Sequence, residues 1–244
     1  MSKKPLEAHL VKLARKDEAK GVFQHKLFDK VPIQECWDNT NAKPVSTRWV
    51  DINKGDDDDP DYRSRWVGRE FKGKDNDRDD LFAATPPLEA KKALIPLAAC
   101  QKGVEPHKLK KLGFIDIRKA YFHARVKRLI YVELPPEFLE PHEVGKVCVR
   151  LNFSLYGTRD AASNWEVCYA EFLINIVFKQ GLSSPCIFHH PVRDLSTVVH
   201  GDDFTSLGTE PNLMWLTKQL QGRFLIKDRG MLGRINITSK RLGS

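Results

Sequence analysis

Two runs of β-forming residues, Ser196 to His200 and Phe204 to Leu207, are separated only by Gly201-Asp202-Asp203. That spacing leaves room for little besides the tight turn of a β-hairpin, and it puts adjacent carboxylates at the tip. Like charges so close are tolerated in water or when a divalent cation neutralises them. The stretch is therefore either a solvated turn or half of a metal site. Gly and Asp are favoured in turns for backbone reasons alone, so the tip by itself does not decide between the two.

A third acid bears on the choice. Asp116 lies inside Leu112-Gly113-Phe114-Ile115-Asp116-Ile117, a segment that reads as an apolar strand. A carboxylate there is costly unless it is paired or bound to a metal. One acid from an internal strand and two from a hairpin tip are a compact means of holding two divalent ions, as phosphoryl transfer onto a 3′ hydroxyl requires. Charge and spacing alone fit a metal-dependent nuclease or phosphatase equally well.

Around these acids the chain alternates strand and helix patterns. Val45 to Ile52 reads as a strand, Asn53 to Asp61 as an acidic hairpin loop, and Tyr62 to Phe71 as the returning strand. The acidic run lacks the interleaved Gly and terminal Glu of a calcium loop. Alternation places Arg63, Arg65 and Arg69 on one face, a fork-like clamp for phosphate if they point into a cleft. Lys72 to Asp80 reads as a charged loop, His107 to Lys111 as a basic patch, and Leu129 to Leu134 and Cys148 to Leu155 as strands. Helical spacing marks four segments. The first carries Leu6, Leu10, Leu13 and Ala14; the second, Leu88 to Gln101, turns Leu88, Ala93, Leu94, Leu97 and Ala98 inward with a kink at Pro96. The third runs from Ala161 to Lys179 with Trp165, Tyr169, Phe172, Leu173 and Ile176 inward, and the fourth spans Leu213 to Leu220. Cys186 with His189 and His190 lacks a second ligand pair at zinc-finger spacing and reads as a strand leading into the hairpin.

At 244 residues the chain is long enough for one large domain or two lobes, and its net charge of +8 favours a polyanionic partner. Lysines and arginines stud the first twenty residues where a signal peptide would be apolar, and the longest apolar runs, 93–100 and 172–178, fall far short of a membrane span. Five scattered cysteines fit reduced thiols. An intracellular protein without a membrane partner is expected, cytoplasmic and particle-associated, or nuclear.

From about Val45 to Gly233 the sequence resembles the reverse transcriptase domain of copia-type long-terminal-repeat retrotransposon polyproteins. Val45 to Val50 is similar to the family's "V..KWV", Tyr62 to Phe71 to "YKARLVARGF", and Asp116 to Phe122 to "DVKTAFL". Tyr131 to Phe138 resembles "YMEQPPGF", and Val147 to Trp165 resembles "VCRLKKSLYGLKQAPRAW". His200 to Asp203 occupies the "YVDD" slot and Lys227 to Gly230 the "KDLG" slot. Any one block is weak; their ordered succession is specific.

The resemblance implies an α+β right-hand polymerase fold, with an antiparallel palm sheet backed by helices and the thumb largely absent. A basic amphipathic segment would span 1–24, the fingers 25–84 and 124–155, and the palm 85–123 and 156–244. The implied activity is RNA-directed DNA polymerase, a nucleotidyl transfer from dNTP to a primer 3′ hydroxyl on an RNA or DNA template. Asp116, Asp202 and Asp203, with the Ile117 carbonyl, would hold two Mg²⁺, with Mn²⁺ as a substitute. Arg63, Arg65 and Arg69 would meet the triphosphate, and Tyr121 would exclude a 2′ hydroxyl. Integrase and RNase H parts of a polyprotein are the implied partners.

The chain also departs from the pattern. Asp160 stands where the family carries a Gln that supports nucleotide and template, and it would repel a triphosphate unless Arg159 or a metal offsets it. Glu70 replaces a glycine, Ala162 a proline, and His200 and Gly201 the usual Tyr and Val. A catalytically degenerate nucleic-acid-binding remnant and a metal-dependent phosphohydrolase stand as the alternatives.

Overall fold

In the computed structural model, which describes residues 5–56, 58–70, 85–86 and 88–233, the period-two segments pair as strands and the longer apolar-periodic segments form helices. In chain order these are α1 (Ala8–Gln24), β1 (Phe28–Pro32), α2 (Ile33–Thr40), β2 (Thr47–Asn53), β3 (Tyr62–Gly68), α3 (Leu88–Ala99), β4 (Lys110–Ile117), β5 (Tyr131–Val132) and β6 (Val147–Leu151). There follow α4 (Ala161–Asn175), β7 (Lys179–Gln180), β8 (Ile187–His190), β9 (Leu195–His200), β10 (Asp203–Thr209), α5 (Glu210–Arg223) and β11 (Ile226–Leu232). All pairings among these strands are antiparallel. The charged loop expected over 72–80 and the strand end expected at Phe71 lie outside the described residues. The chain divides into two compact units, residues 1–82 with 121–165 and residues 83–120 with 166–244.

The first unit holds the sheet β1-β6-β5 and the hairpin β2-β3. Alternation along β3 turns Ser64 and Trp66 inward and Arg63 and Arg65 outward. Trp66 is wholly buried, met edge-on by Phe28 and Phe138 with ring centroids 5.7 Å away in both cases. The acidic hairpin loop caps itself: Asn53 Oδ1 accepts from the amides of Gly55 and Asp61, and the Asp56 carboxylate accepts from those of Asp58 and Asp59. Helix α1 is tied to the hairpin by Arg15, whose guanidinium forks onto Asp51 at 2.7 and 3.2 Å. Its inward face differs from the expected one. Leu6 precedes the helix and Leu13 is exposed, whereas Glu18, Gly21 and Val22 are buried, because the C-terminal half of the helix meets the core, where Val22 joins Trp66.

The second unit is built on a six-stranded sheet in the order β11-β4-β10-β9-β8-β7. Helix α3 touches it along a single line: Leu94 and Ala98, one turn apart, pack on Leu112, Val198 and Leu207. Ala93 and Leu97, expected inside, are therefore exposed. From α4, Tyr169 meets Phe188 and Phe204 edge-on. Leu213 of α5 lies over Gly113 so closely that an added Cβ would come within 3.2 Å of it. Inside the sheet the buried hydroxyls of Thr197 and Ser206, opposite each other on β9 and β10, satisfy one another at 2.9 Å. The expected basic patch is largely neutralised: Lys108 pairs with Glu105, Lys110 with Asp194 and Lys111 with Glu210.

Helix α4 stops short of the expected Lys179. The amide of Phe178 donates to the Leu173 carbonyl and that of Val177 to the Ile174 carbonyl, a Schellman closure that forces Val177 to a φ of 73°. A β-branched residue is poorly suited to that conformation. Val177→Gly is therefore expected to stabilise the fold by roughly 0.5–1 kcal/mol, read as a higher urea midpoint. Among the described residues no helix is long and apolar enough to cross a membrane. The five cysteines are thiols, and burial beside Cys36 pushes the Cys148 thiol up to about 12, which removes it as a nucleophile at neutral pH.

Candidate active site

The three acids picked out by the sequence come together in the second unit. Strands β9 and β10 are joined by only two residues: Gly201, with a φ of 62°, and Asp202, which stays on the negative side. This is the II′ pattern, with glycine in the first central position, whose twist matches that of the flanking strands. Asp203 is consequently not in the turn. It opens β10, opposite His200 on β9 and Asp116 on β4. The Ile117 amide donates to the Asp202 carbonyl at 2.8 Å, fastening the end of β4 to the hairpin tip. Ile117 is thus the last residue of β4, with its side chain buried.

Carboxylate oxygens of Asp116, Asp202 and Asp203 all lie within 4.8 Å of one another. Asp116 is half-buried and the other two are exposed. Three like charges at such separations repel unless cations share the space. Part of the balance comes from β11. Lys227 stands opposite Asp116 in the ladder, and a bulge after Asp228 sets Arg229 out of register, where its guanidinium reaches Asp116 Oδ2 at 3.6 Å. Hard, anionic oxygens converging from two strand ends form a donor set suited to Mg²⁺ or Mn²⁺, so the residues present fit a divalent ion.

The other expected site residues belong to the first unit. Arg63 and Arg65 share the outward face of β3, but Arg63 forks back onto its neighbour Asp61 at 2.8 Å. β3 ends at Gly68, so Arg69 has left the alternation; it is exposed, and its amide donates to the Ser46 carbonyl. Arg65 lies over the ring of Tyr156, 5.0 Å from its centroid, and Tyr121 meets the same ring at 4.9 Å. One aromatic side chain thereby carries two of the expected nucleotide-binding groups.

Asp160 is buried and receives Arg128 Nη2 at 3.0 Å and Asn164 Nδ2 at 3.0 Å. The cation beside it is Arg128, where the sequence had suggested Arg159. The same Arg128 Nη2 donates to Glu70 Oε2 at 2.6 Å, and that oxygen also accepts the Arg159 amide at 2.9 Å. Burial of Arg128 works against its charge, but the hydrogen bonds to Glu70 and Asp160 outweigh it and hold the guanidinium above its ordinary value.

Sequence reasoning missed the roles of Arg128, Tyr156 and Arg229. Tyr156 sits in a motif block, so attention to that block's aromatic would have found it. Arg128, within a basic stretch, carries no local signal.

Comparison with known proteins agrees in extent with these features. The sequence pattern of the family described as reverse transcriptase (RNA-dependent DNA polymerase) matches residues 35–237. The chain is 26% identical over 195 residues to the retrovirus-related Pol polyprotein from transposon TNT 1-94 of Nicotiana tabacum, covering 77% of this chain and 14% of that protein. It is 26% identical over 205 residues to the corresponding polyprotein from transposon RE1 of Arabidopsis thaliana, covering 79% of this chain and 13% of that protein. The chain thus spans about a seventh of the length of these relatives. With the match running through the acid strand, the Tyr156 loop and the Gly201-Asp202 turn alike, the chain belongs to the reverse transcriptase (RNA-dependent DNA polymerase) family.

Proposed function

We propose that this chain is the catalytic part of an RNA-directed DNA polymerase, extending a primer 3′ hydroxyl with deoxynucleotides along an RNA or DNA template. The gathering of Asp116, Asp202 and Asp203 at the joined ends of β4 and the β9-β10 hairpin carries this reading. In it, residues 85–123 and 156–244 form the palm of a right-hand polymerase, and residues 25–84 and 124–155 the fingers.

Asp116, Asp202, Asp203 and the Ile117 carbonyl would hold two Mg²⁺, or Mn²⁺ in their place. Bound there, the ions would supply Lewis-acid activation of the attacking oxygen and charge support for the departing pyrophosphate. The side chains do the rest. Arg63, Arg65 and Arg69 offer guanidiniums to the triphosphate, orienting it as the primer oxygen bonds to the α-phosphorus and the bond to pyrophosphate breaks. Tyr121 fills the space a 2′ hydroxyl would need, which selects deoxynucleotides by exclusion. Other polyprotein parts, integrase and RNase H, are the expected partners, because the relatives are Pol polyproteins.

Primer extension on an RNA template tests the proposal. Chelating divalent metal is expected to abolish extension, and adding back Mg²⁺ or Mn²⁺ to restore it. Phosphodiester cleavage without a template would replace the reading with a phosphohydrolase. Tight primer-template binding with no extension at any metal concentration would replace it with a nucleic-acid-binding remnant.

A further inference from the structure

Two of the positions at which the chain departs from the family pattern, Glu70 and Asp160, are bound to a single guanidinium. Arg128 Nη2 reaches Glu70 at 2.6 Å and Asp160 at 3.0 Å, and both carboxylates are largely buried, with side chains 15% and 10% exposed. Each acid makes a further bond. Glu70 Oε2 also holds the Arg159 amide, and Asp160 Oδ2 takes Asn164 Nδ2, which in turn donates to Ser154 Oγ. Without Arg128, two carboxylates would share a poorly hydrated space and repel one another.

The backbone around this centre is tied just as closely. The Gly68 amide donates to the Tyr156 carbonyl at 2.7 Å, and the Glu70 amide to the Gly157 carbonyl at 3.4 Å. Arg128 therefore closes a ring of contacts joining the exit of β3 to the loop 156–160. That loop carries Tyr156, the aromatic on which Arg65 and Tyr121 both rest. A slip of the loop would move both groups together.

We infer that Arg128 is a positioning residue: by binding Glu70 and Asp160 at once it clamps the end of β3 to the loop 156–160 and so holds Arg65 and Tyr121 in place for the incoming nucleotide. Asp160 is then an anchor of the loop and does not itself touch nucleotide. The inference rests on the polymerase reading for its functional half, and on geometry alone for its structural half.

The experiment compares Arg128→Ala and Arg128→Lys in two backgrounds, the native chain and Glu70→Gly/Asp160→Gln. Two quantities are read: hydrogen exchange at the amides of Glu70 and Arg159, and KM and kcat for dNTP. In the native background Arg128→Ala is expected to speed exchange at both amides and to raise KM about tenfold, with kcat changed less than about threefold. Arg128→Lys should recover part of the loss, since it restores the charge but not the planar guanidinium whose Nη2 donates to both acids. In the background lacking both acids, Arg128→Ala should change exchange and KM less than about twofold, because nothing remains to be clamped. Equal effects in the two backgrounds would overturn the clamp. Faster exchange with an unmoved KM would overturn its role in nucleotide positioning. If Arg128→Ala does not fold, Asp160→Gln alone is expected to give the same direction of change in KM, and an unmoved KM would overturn the proposal. Failure of the native chain to extend a primer would instead reject the polymerase reading, leaving the clamp to be decided by exchange.

Discussion

Asp202→Asn is expected to lower template-directed primer extension by on the order of 10³-fold or more, while leaving the folded state intact. The substitution keeps size and hydrogen-bonding shape but removes one of three charges that converge within 4.8 Å. Asp202 is exposed in the second position of a two-residue turn, where Asn is as well suited as Asp. Its carbonyl, which receives the Ile117 amide, is unaffected by the change. Less repulsion at the tip should hold the urea midpoint constant or raise it slightly. A loss of activity without loss of stability separates a metal-holding role from a structural one. Asp194→Asn, at the other end of β9, is the control: Asp194 is an exposed ion-pair partner of Lys110, and such pairs contribute about 0–1 kcal/mol. Equal extension by Asp202→Asn and the native chain would remove the proposed mechanism.

The largest expected effect on stability is at Gly157. Its φ of 78° lies in the left-handed region, and a Cβ there would sit 2.1 Å from the Gly68 carbonyl oxygen and 2.5 Å from Val67 Cγ1. Because the closest obstacle is backbone at the end of β3, no rotamer change relieves it. Gly157→Ala is expected to cost on the order of 3 kcal/mol, combining backbone strain with displacement of the loop from the strand. Gly68 faces the same contact from the other side with a milder conflict: its added Cβ would meet the side-chain carbon Thr158 Cγ2 at 3.3 Å, tight enough that the threonine must give by a few tenths of an ångström. Gly68→Ala should therefore cost about 1 kcal/mol or less. Urea unfolding of the two variants checks the contrast. Equal midpoints would mean that the loop does not press on the strand as described.

These two glycines also mark the limit of what the sequence makes legible. The β9-β10 hairpin was readable because β-formers flank a turn that needs glycine, and β4 because an acid interrupts an apolar run. The pairing of Asp203 with Asp116 depends on register between distant segments, which no local pattern specifies. Resemblance to a family supplied that juxtaposition before any geometry did. Helix α3 misled because its aliphatic residues exceed what one line of contact buries, so Leu97 looked internal and is not. The end of α4 was unreadable because Val177 adopts a conformation its own side chain opposes. Arg128 was invisible for a related reason: its meaning comes from Glu70 and Asp160, far away in the chain, and alone it is one more surface cation.

The place of β4 inside the second sheet, next to its edge strand β11, affects how the protein is made. Its neighbours on both sides, β10 and β11, are encoded far downstream, so during synthesis the strand emerges with both edges unpaired. At ribosomal speeds of about 5–20 residues per second it waits several seconds for either partner. Its ladder groups are open throughout that interval to any other extended segment, another nascent copy included. Slow translation between β4 and β10 should therefore reduce the yield of soluble protein more than an equal pause placed after β11.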